Sequence, residues 1–185
     1  MTLEKQLFSP DEMVEAIRKI AGSIVSQFPA SSSFVLVGLY KQGVPLMEKI
    51  AEELTRLTGT PPQTGTLDIT MYRDDFGKRS GLPLIRETVI PFDLNGENII
   101  LVDDVLSSGR TIRAALDALT DYGRPALIRL AVLVDRGNPE FPIRADFVGF
   151  TNDSPAEHKI VVQFDDDGKP AGVYERNWNY QSDTK

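Results

Sequence analysis

The sequence predicts an α/β fold, a mostly parallel sheet with helices on both faces. Two observations carry that prediction. Short apolar runs alternate along the chain with longer segments of helical periodicity, the pattern of repeated strand–helix units. Ile99 to Val102 is also apolar at every position, as expected of a strand covered on both faces rather than one.

Each element has its own signal. Ser9-Pro10-Asp11-Glu12 is a capping box with proline at the first helical position. Met13, Ile17, Ile20, Ile24 and Phe28 then share one helical face, so the first helix runs to about Phe28. Phe34 to Tyr40 reads as a strand that ends in a tight loop, Lys41-Gln42-Gly43. Val44, Met47, Ile50, Ala51 and Leu54 mark a second helix, which closes near Gly59 ahead of Pro61-Pro62. Thr64 to Met71 suggests a strand, and the polar, charged, glycine-bearing Tyr72 to Glu87 suggests a mobile loop. The Ile99 strand leads into a helix over Ile112 to Tyr122, and Ala126 to Val134 is another buried strand. Asp146 to Phe150, Lys159 to Phe164 and Gly172 to Arg176 are shorter strand candidates. Asp165-Asp166-Asp167-Gly168 lacks the spacing of a calcium loop and fits a turn between two strands.

Composition narrows the function classes. A chain of 185 residues, 41% hydrophobic and 25% charged, is read as one globular domain spanning 1–185. No apolar run approaches the roughly 20 residues needed to span a bilayer, and the N-terminus shows no signal-peptide pattern. With no cysteine, disulfides and thiolate chemistry are excluded, and a cytoplasmic location is expected. His158 is the only histidine, so one chain can build neither a histidine-based zinc site nor a Ser-His-Asp triad. A net charge of -7 argues against broad, non-specific binding of nucleic acid.

The chemistry concentrates at the end of the Ile99 strand. Asp103 and Asp104 follow it directly, and then Ser107, Ser108, Gly109, Arg110 and Thr111 make a small hydroxylic turn that opens a helix. Such a turn offers backbone N–H groups and a positive dipole end to a phosphate. Gly109 lets the backbone come close to the anion. Two acids beside a phosphate cradle would repel phosphate alone. They suit a ligand that also carries hydroxyls or arrives with a divalent cation, hence a sugar phosphate. No G-x-x-x-x-G-K-[ST] and no G-x-G-x-x-G occurs, so the P-loop and dinucleotide alternatives lose their main support.

The run Ile99 to Thr111 resembles the 5-phosphoribosyl-1-diphosphate (PRPP) signature of type I phosphoribosyltransferases. Leu36-Val37-Gly38, Asp68 to Asp75, Leu130 to Gly137 and Pro142 to Gly149 further resemble the PyrR family, pyrimidine-operon attenuators with uracil phosphoribosyltransferase activity. The resemblance implies a type I phosphoribosyltransferase fold with a flexible active-site loop and a small hood. It implies the reaction of uracil and PRPP to UMP and diphosphate with Mg²⁺, in a homo-oligomer, a dimer or higher. Asp103 and Asp104 would take the ribose hydroxyls, and Ser107 to Thr111 the 5-phosphate. Lys41, Gln42, Gly43 and Arg73 would take the diphosphate, and Arg136 and Ile160 the base. Mg²⁺ would arrive on the diphosphate, with no protein ligand specified. Taken independently, the residues agree: diphosphate departure leaves charge on both fragments, so electrostatic positioning matters more than a covalent nucleophile.

The chain also departs from the family pattern. Lys41-Gln42-Gly43 stands where Thr-Arg-Gly is usual, and Asn138-Pro139 and Phe150-Thr151 replace basic stretches. Because phosphate contacts dominate RNA affinity, weak and salt-dependent RNA binding is expected. Two competing functions follow from the same residues. One is a UMP-responsive RNA-binding attenuator with residual catalysis. The other is a hypoxanthine or guanine phosphoribosyltransferase, which Phe147-Val148-Gly149-Phe150 resembles but which usually carries an acid where this chain has Ser107.

Overall fold

The computed structural model describes residues 4–28, 33–74 and 86–177. In chain order the elements are β1 (Glu4–Phe8), α1 (Pro10–Gln27), β2 (Val35–Leu39), α2 (Gly43–Thr58), β3 (Gln63–Leu67), a 3₁₀ turn (Thr70–Tyr72), β4 (Asn98–Leu106), α3 (Arg110–Leu119), β5 (Leu127–Asp135), β6 (Phe147–Thr151), β7 (His158–Phe164) and β8 (Pro170–Asn177). Five strands form a wholly parallel sheet in the order β3-β2-β4-β5-β6. β4 lies at its centre. Ile100 and Val102 face a core shared with α1 and α2, while Ile99 and Leu101 face a second core shared with α3. The uninterrupted apolar run of β4 thus has a layer on each side to bury it, as the fold prediction required.

After β2 the chain steps outward to β3 and then returns to the other side of β2 as β4. Between β2 and β4 the loops that leave the two strands therefore diverge, and ligands of open parallel sheets bind at such a switch point, outside the carboxyl ends of the strands. The loop at 41–43 and the acid pair 103–104 both lie there.

Three strands fall outside the main sheet. β1, β8 and β7 form a small antiparallel sheet in that order, and it matches the expected hood. Its apolar side joins the α1–α2 core through Ile160, Val162 and Val173. β1 has no signal in the sequence because Glu4, Lys5 and Gln6 are exposed. It is held by its partners instead: Arg176 on β8 pairs with Glu4 at 2.8 Å, and Phe8 stacks on Phe150 with ring centroids 3.7 Å apart. The strand expected to reach Met71 ends at Leu67, and the 3₁₀ turn follows. Asp165 to Gly168 is the β7–β8 turn, closed by the Asp165 amide donating to the Lys169 carbonyl at 2.9 Å. Of the loop expected over 72–87, residues 75–85 lie outside the described residues.

Candidate active site

The site is built around the carboxyl end of β4. Asp103 is only 5% exposed, and one of its carboxylate oxygens accepts the Asp104 amide at 3.0 Å. Burial, reinforced by the adjacent Asp104 charge, pushes the Asp103 carboxyl well above the usual carboxylate range. Burial raises Asp104 as well. Two cations work against these shifts, Arg73 on Asp103 and Lys159 on Asp104. An acid pair of this kind, with Asp103 buried and Asp104 half-buried, suits hydroxyl donors or a cation that restores its charged form.

Two helices begin beside the pair, and both begin without a side-chain cap. α3 opens at Gly109, whose φ of +88° lies in the left-handed region that favours glycine. The first turn of α3 carries no acid, and apart from the Arg110 amide, which donates to the Ser108 hydroxyl at 3.4 Å, its amides and positive dipole end are open to an anion. The turn is supported from behind: the Glu140 and Phe141 amides donate to the Ser108 carbonyl at 2.9 and 3.2 Å. α2 opens at Gln42 and Gly43, again with no capping bond and no acid in the first turn. A Cβ on Gly43 would stand 2.5 Å from the Val102 carbonyl oxygen and 3.2 Å from Asp103 Cα. Only glycine lets this loop lie flat on β4, and that contact brings the second open helix end to the acid pair. The Tyr40–Lys41 peptide is cis, and Lys41 is exposed at the loop's tip.

The expected base contacts lie on the far side of β4. The Arg136 amide donates to the Leu106 carbonyl at 2.9 Å, so Arg136 follows β5 into the site edge. Its guanidinium does not pair with an acid of β5 or β6. It donates to the carbonyls of Ser154 and Pro155 at 3.0 and 2.7 Å, tying the end of β5 to the loop that leads into β7. Asp146 is taken by Arg129 at 2.8 Å. Ile160 is 6% exposed, its side chain belongs to the α1–α2 core, and it pairs with Glu175 of β8. Lys159, next to it on β7, went unnoticed in the sequence. Its charge reaches Asp104, but nothing local distinguishes it from other strand lysines.

Arg73 follows the 3₁₀ turn. Asp68 draws the two ends of this segment together, accepting the Thr70 amide at 2.7 Å on one oxygen and the Arg86 amide on the other. An antiparallel bridge between Thr66 and Val89 closes the base further, with amide–carbonyl distances of 2.8 and 2.9 Å. Arg110, expected at the 5-phosphate, has its guanidinium on Asp74 and, at 2.9 Å, on Glu140, so its backbone and not its side chain belongs to the open helix end.

Among the described residues, no cluster of three or more His, Cys, Asp or Glu side chains forms a protein-only metal site. No helix among them is long and apolar enough to cross a membrane.

Comparison with known proteins bears on the family and the fold. The phosphoribosyl transferase domain family matches residues 4–168. The bifunctional protein PyrR of Roseiflexus sp. strain RS-1 is 47% identical over 172 residues, covering 92% of this chain and 94% of that protein. The bifunctional protein PyrR of Thermus aquaticus is 51% identical over 163 residues, 88% of this chain and 89% of that one. Among solved structures, a mutant hypoxanthine phosphoribosyltransferase from Trypanosoma cruzi complexed with IMP superposes with a TM-score of 0.69 at 17% identity, covering 97% of this chain and 93% of that one. A hypoxanthine-guanine phosphoribosyltransferase from Bacillus anthracis gives 0.64 at 21% identity, covering 85% and 86%. At those identities the structural likeness speaks for the fold alone.

Proposed function

The chain belongs to the PyrR family of phosphoribosyltransferases, and from that premise we propose that it converts uracil and PRPP to UMP and diphosphate. One observation carries the assignment beyond the family: two acid-free helix ends, neither with a capping bond from its N-cap side chain, flank one carboxylate pair of which Asp103 is buried and Asp104 half-buried. PRPP has two phosphate-bearing ends and, between them, a ribose with vicinal hydroxyls. The open end of α3, from Ser107 to Thr111, suits the 5-phosphate. The loop Lys41-Gln42-Gly43 at α2 suits the diphosphate, and Asp103 with Asp104 suits the hydroxyls.

In the reaction the C1–O bond to diphosphate breaks, the C1–N1 bond to uracil forms, and the N1 proton leaves the base. Positive charge develops on the ribose ring as negative charge develops on the leaving group. Asp103 and Asp104 hold the ribose in register and offer negative charge near the ring. Arg73, whose field already reaches Asp103, offers a cation to the departing diphosphate, and covering the site there excludes water from an easily hydrolysed donor. The Arg136-braced loop and the Ile160 main chain present the base. The residues fit Mg²⁺ that enters on the diphosphate, since the described carboxylates supply a pair rather than a full cage. When bound, Mg²⁺ would neutralise and orient the leaving group. Incubation with PRPP and Mg²⁺ against uracil, hypoxanthine, guanine and orotate tests the assignment. UMP is the expected product, and a preference for a purine would replace uracil in the proposal.

The relatives' name implies a second function, and RNA attenuation is its candidate form. Of the four cations that would serve it, Arg18, Lys19, Arg129 and Arg144, the last is exposed and the first three are engaged. Arg18 pairs with Glu15 and, at 3.6 Å, with Glu53. Lys19 donates to the Gly149 carbonyl at 3.3 Å, in a groove also lined by Asp11, Glu12 and Glu15. Arg129 is held by Asp146. Affinity for leader RNA is therefore expected to be weak and steeply salt-dependent. Fluorescence titration with and without UMP checks this, and sub-micromolar, UMP-stimulated binding at physiological salt would promote the regulator reading.

A further inference from the structure

Arg73 is gripped on both sides by the helix that carries the phosphate cradle. On one side the Tyr72 hydroxyl donates to Asp121, two residues past the end of α3. That bond, with burial and the Asp121 charge adding to it, pushes the Tyr72 phenol up to about 12, so Tyr72 stays a donor throughout the neutral range. On the other side Asp74 meets two guanidiniums from the first turn of α3, Arg110 and, at 3.5 Å, Arg113. Both guanidiniums lie against the Phe141 ring, 5.5 and 5.4 Å from its centroid. Arg110 also reaches Glu140, and the amides of Glu140 and Phe141 hold the Ser108 carbonyl of the cradle itself.

Stability does not account for this arrangement. The side chains of Asp74, Arg110 and Arg113 are 40%, 48% and 39% exposed, and ion pairs so solvated contribute little to stability. Arg113 Nε is moreover buried without a hydrogen-bond partner, which costs stability. What the cluster does fix is distance. A ten-residue helix is a rigid strut, and it fastens the residues before and after Arg73 while its own N-terminus forms the cradle.

We infer that Tyr72 and Asp74 are positioning residues that, through Asp121 on one side and Arg110 and Arg113 on the other, set Arg73 at a fixed span from the 5-phosphate cradle. The two phosphate-bearing ends of PRPP are separated by a ribose of fixed size, so a span set in advance selects that donor over shorter or longer phosphorylated sugars. This rests on the reading of Arg73 as a diphosphate ligand.

A double-mutant cycle on the full chain tests it. Asp74→Asn and Tyr72→Phe should each raise KM for PRPP about tenfold, with KM for uracil and affinity for UMP, which carries no diphosphate, within about twofold. Asp74→Glu should restore most of the loss. In an Arg73→Ala background the same two substitutions should add less than about twofold, because residues that act through Arg73 have nothing left to position. Effects that multiply in full in that background would overturn the inference. So would an Arg73→Ala defect that neither flanking substitution reproduces, leaving the diphosphate reading intact. An Arg73→Ala enzyme with normal KM for PRPP would instead remove the diphosphate reading, and the inference with it.

Discussion

The N-terminus of α1 is closed by its own residues, whereas those of α2 and α3 are left open toward the site. At α1 the Ser9 side chain accepts the Glu12 amide at 3.3 Å, the Glu12 carboxylate accepts the Ser9 amide at 2.8 Å, and proline occupies the first turn. That bonding with Ser9 holds the Glu12 carboxyl below its ordinary range. Asp11 and Glu12 meet the helix dipole with negative charge, so nothing remains for a ligand. The other two ends lack acid and cap, and one begins at a left-handed glycine. An uncapped end forgoes about 1 kcal/mol of local stability. Two such ends beside one acid pair forgo local stability where the proposed ligand would bind.

The acid pair is the sharpest place to break that contrast. Asp103→Asn with Asp104→Asn should lower turnover about a thousandfold or more, because the groups proposed to hold the ribose and face its developing charge are gone. Stability should move the other way. The Asp103 carboxyl is raised in the folded protein above its ordinary 3.8, so between that value and the raised one the native state binds more protons than the unfolded chain. Stability therefore falls as pH rises through that window. Asparagine cannot ionise and still accepts the Asp104 amide. Asp103→Asn alone should flatten the pH dependence and raise the thermal midpoint at neutral pH by a few degrees, at about 2–4 °C per kcal/mol. A midpoint that drops would show that the buried carboxylate stabilises the fold.

The same contrast explains what the sequence could disclose. β4, its acid pair and the Ser-Ser-Gly turn are local features, written in consecutive residues, and they are read without knowing the fold. So is the capping box at Ser9. The tight loop at Lys41-Gln42-Gly43 is legible as a loop, but its need for glycine comes from the Val102 carbonyl, far along the chain. Arg110 lies inside the phosphate motif, yet its guanidinium goes to Asp74 and Glu140, partners that only tertiary structure supplies. Alternation identifies β7 and β8 as strands without saying which sheet they join. β1 is invisible because its polar residues need β8 as a template. Tyr72 and Asp74 read as ordinary loop residues until α3 is folded beside them.

Exchanging the chemistry of the two kinds of helix end completes the comparison, at a smaller scale than loss of the acids. Thr111→Glu gives the first turn of α3 the acid that α1 already has. The carboxylate should satisfy the dipole and leave stability level or higher by about 0.3–1 kcal/mol. It should also repel the 5-phosphate and raise KM for PRPP by about ten- to a hundredfold, since charged partners in a partly enclosed site are weakly screened. UMP keeps that phosphate, so its affinity should fall in parallel. This separates the α3 end from the diphosphate loop, whose variants spare UMP. The reciprocal edit, Ser9→Ala, removes a true cap and should cost about 1 kcal/mol in denaturant unfolding while kcat and KM stay within about twofold, because α1 does not lend its N-terminus to the site. If Thr111→Glu left PRPP and UMP binding untouched, the open end of α3 would be a structural omission rather than a cradle. A loss of activity in Ser9→Ala that exceeds its loss of stability would mean that the closed end of α1 communicates with the site.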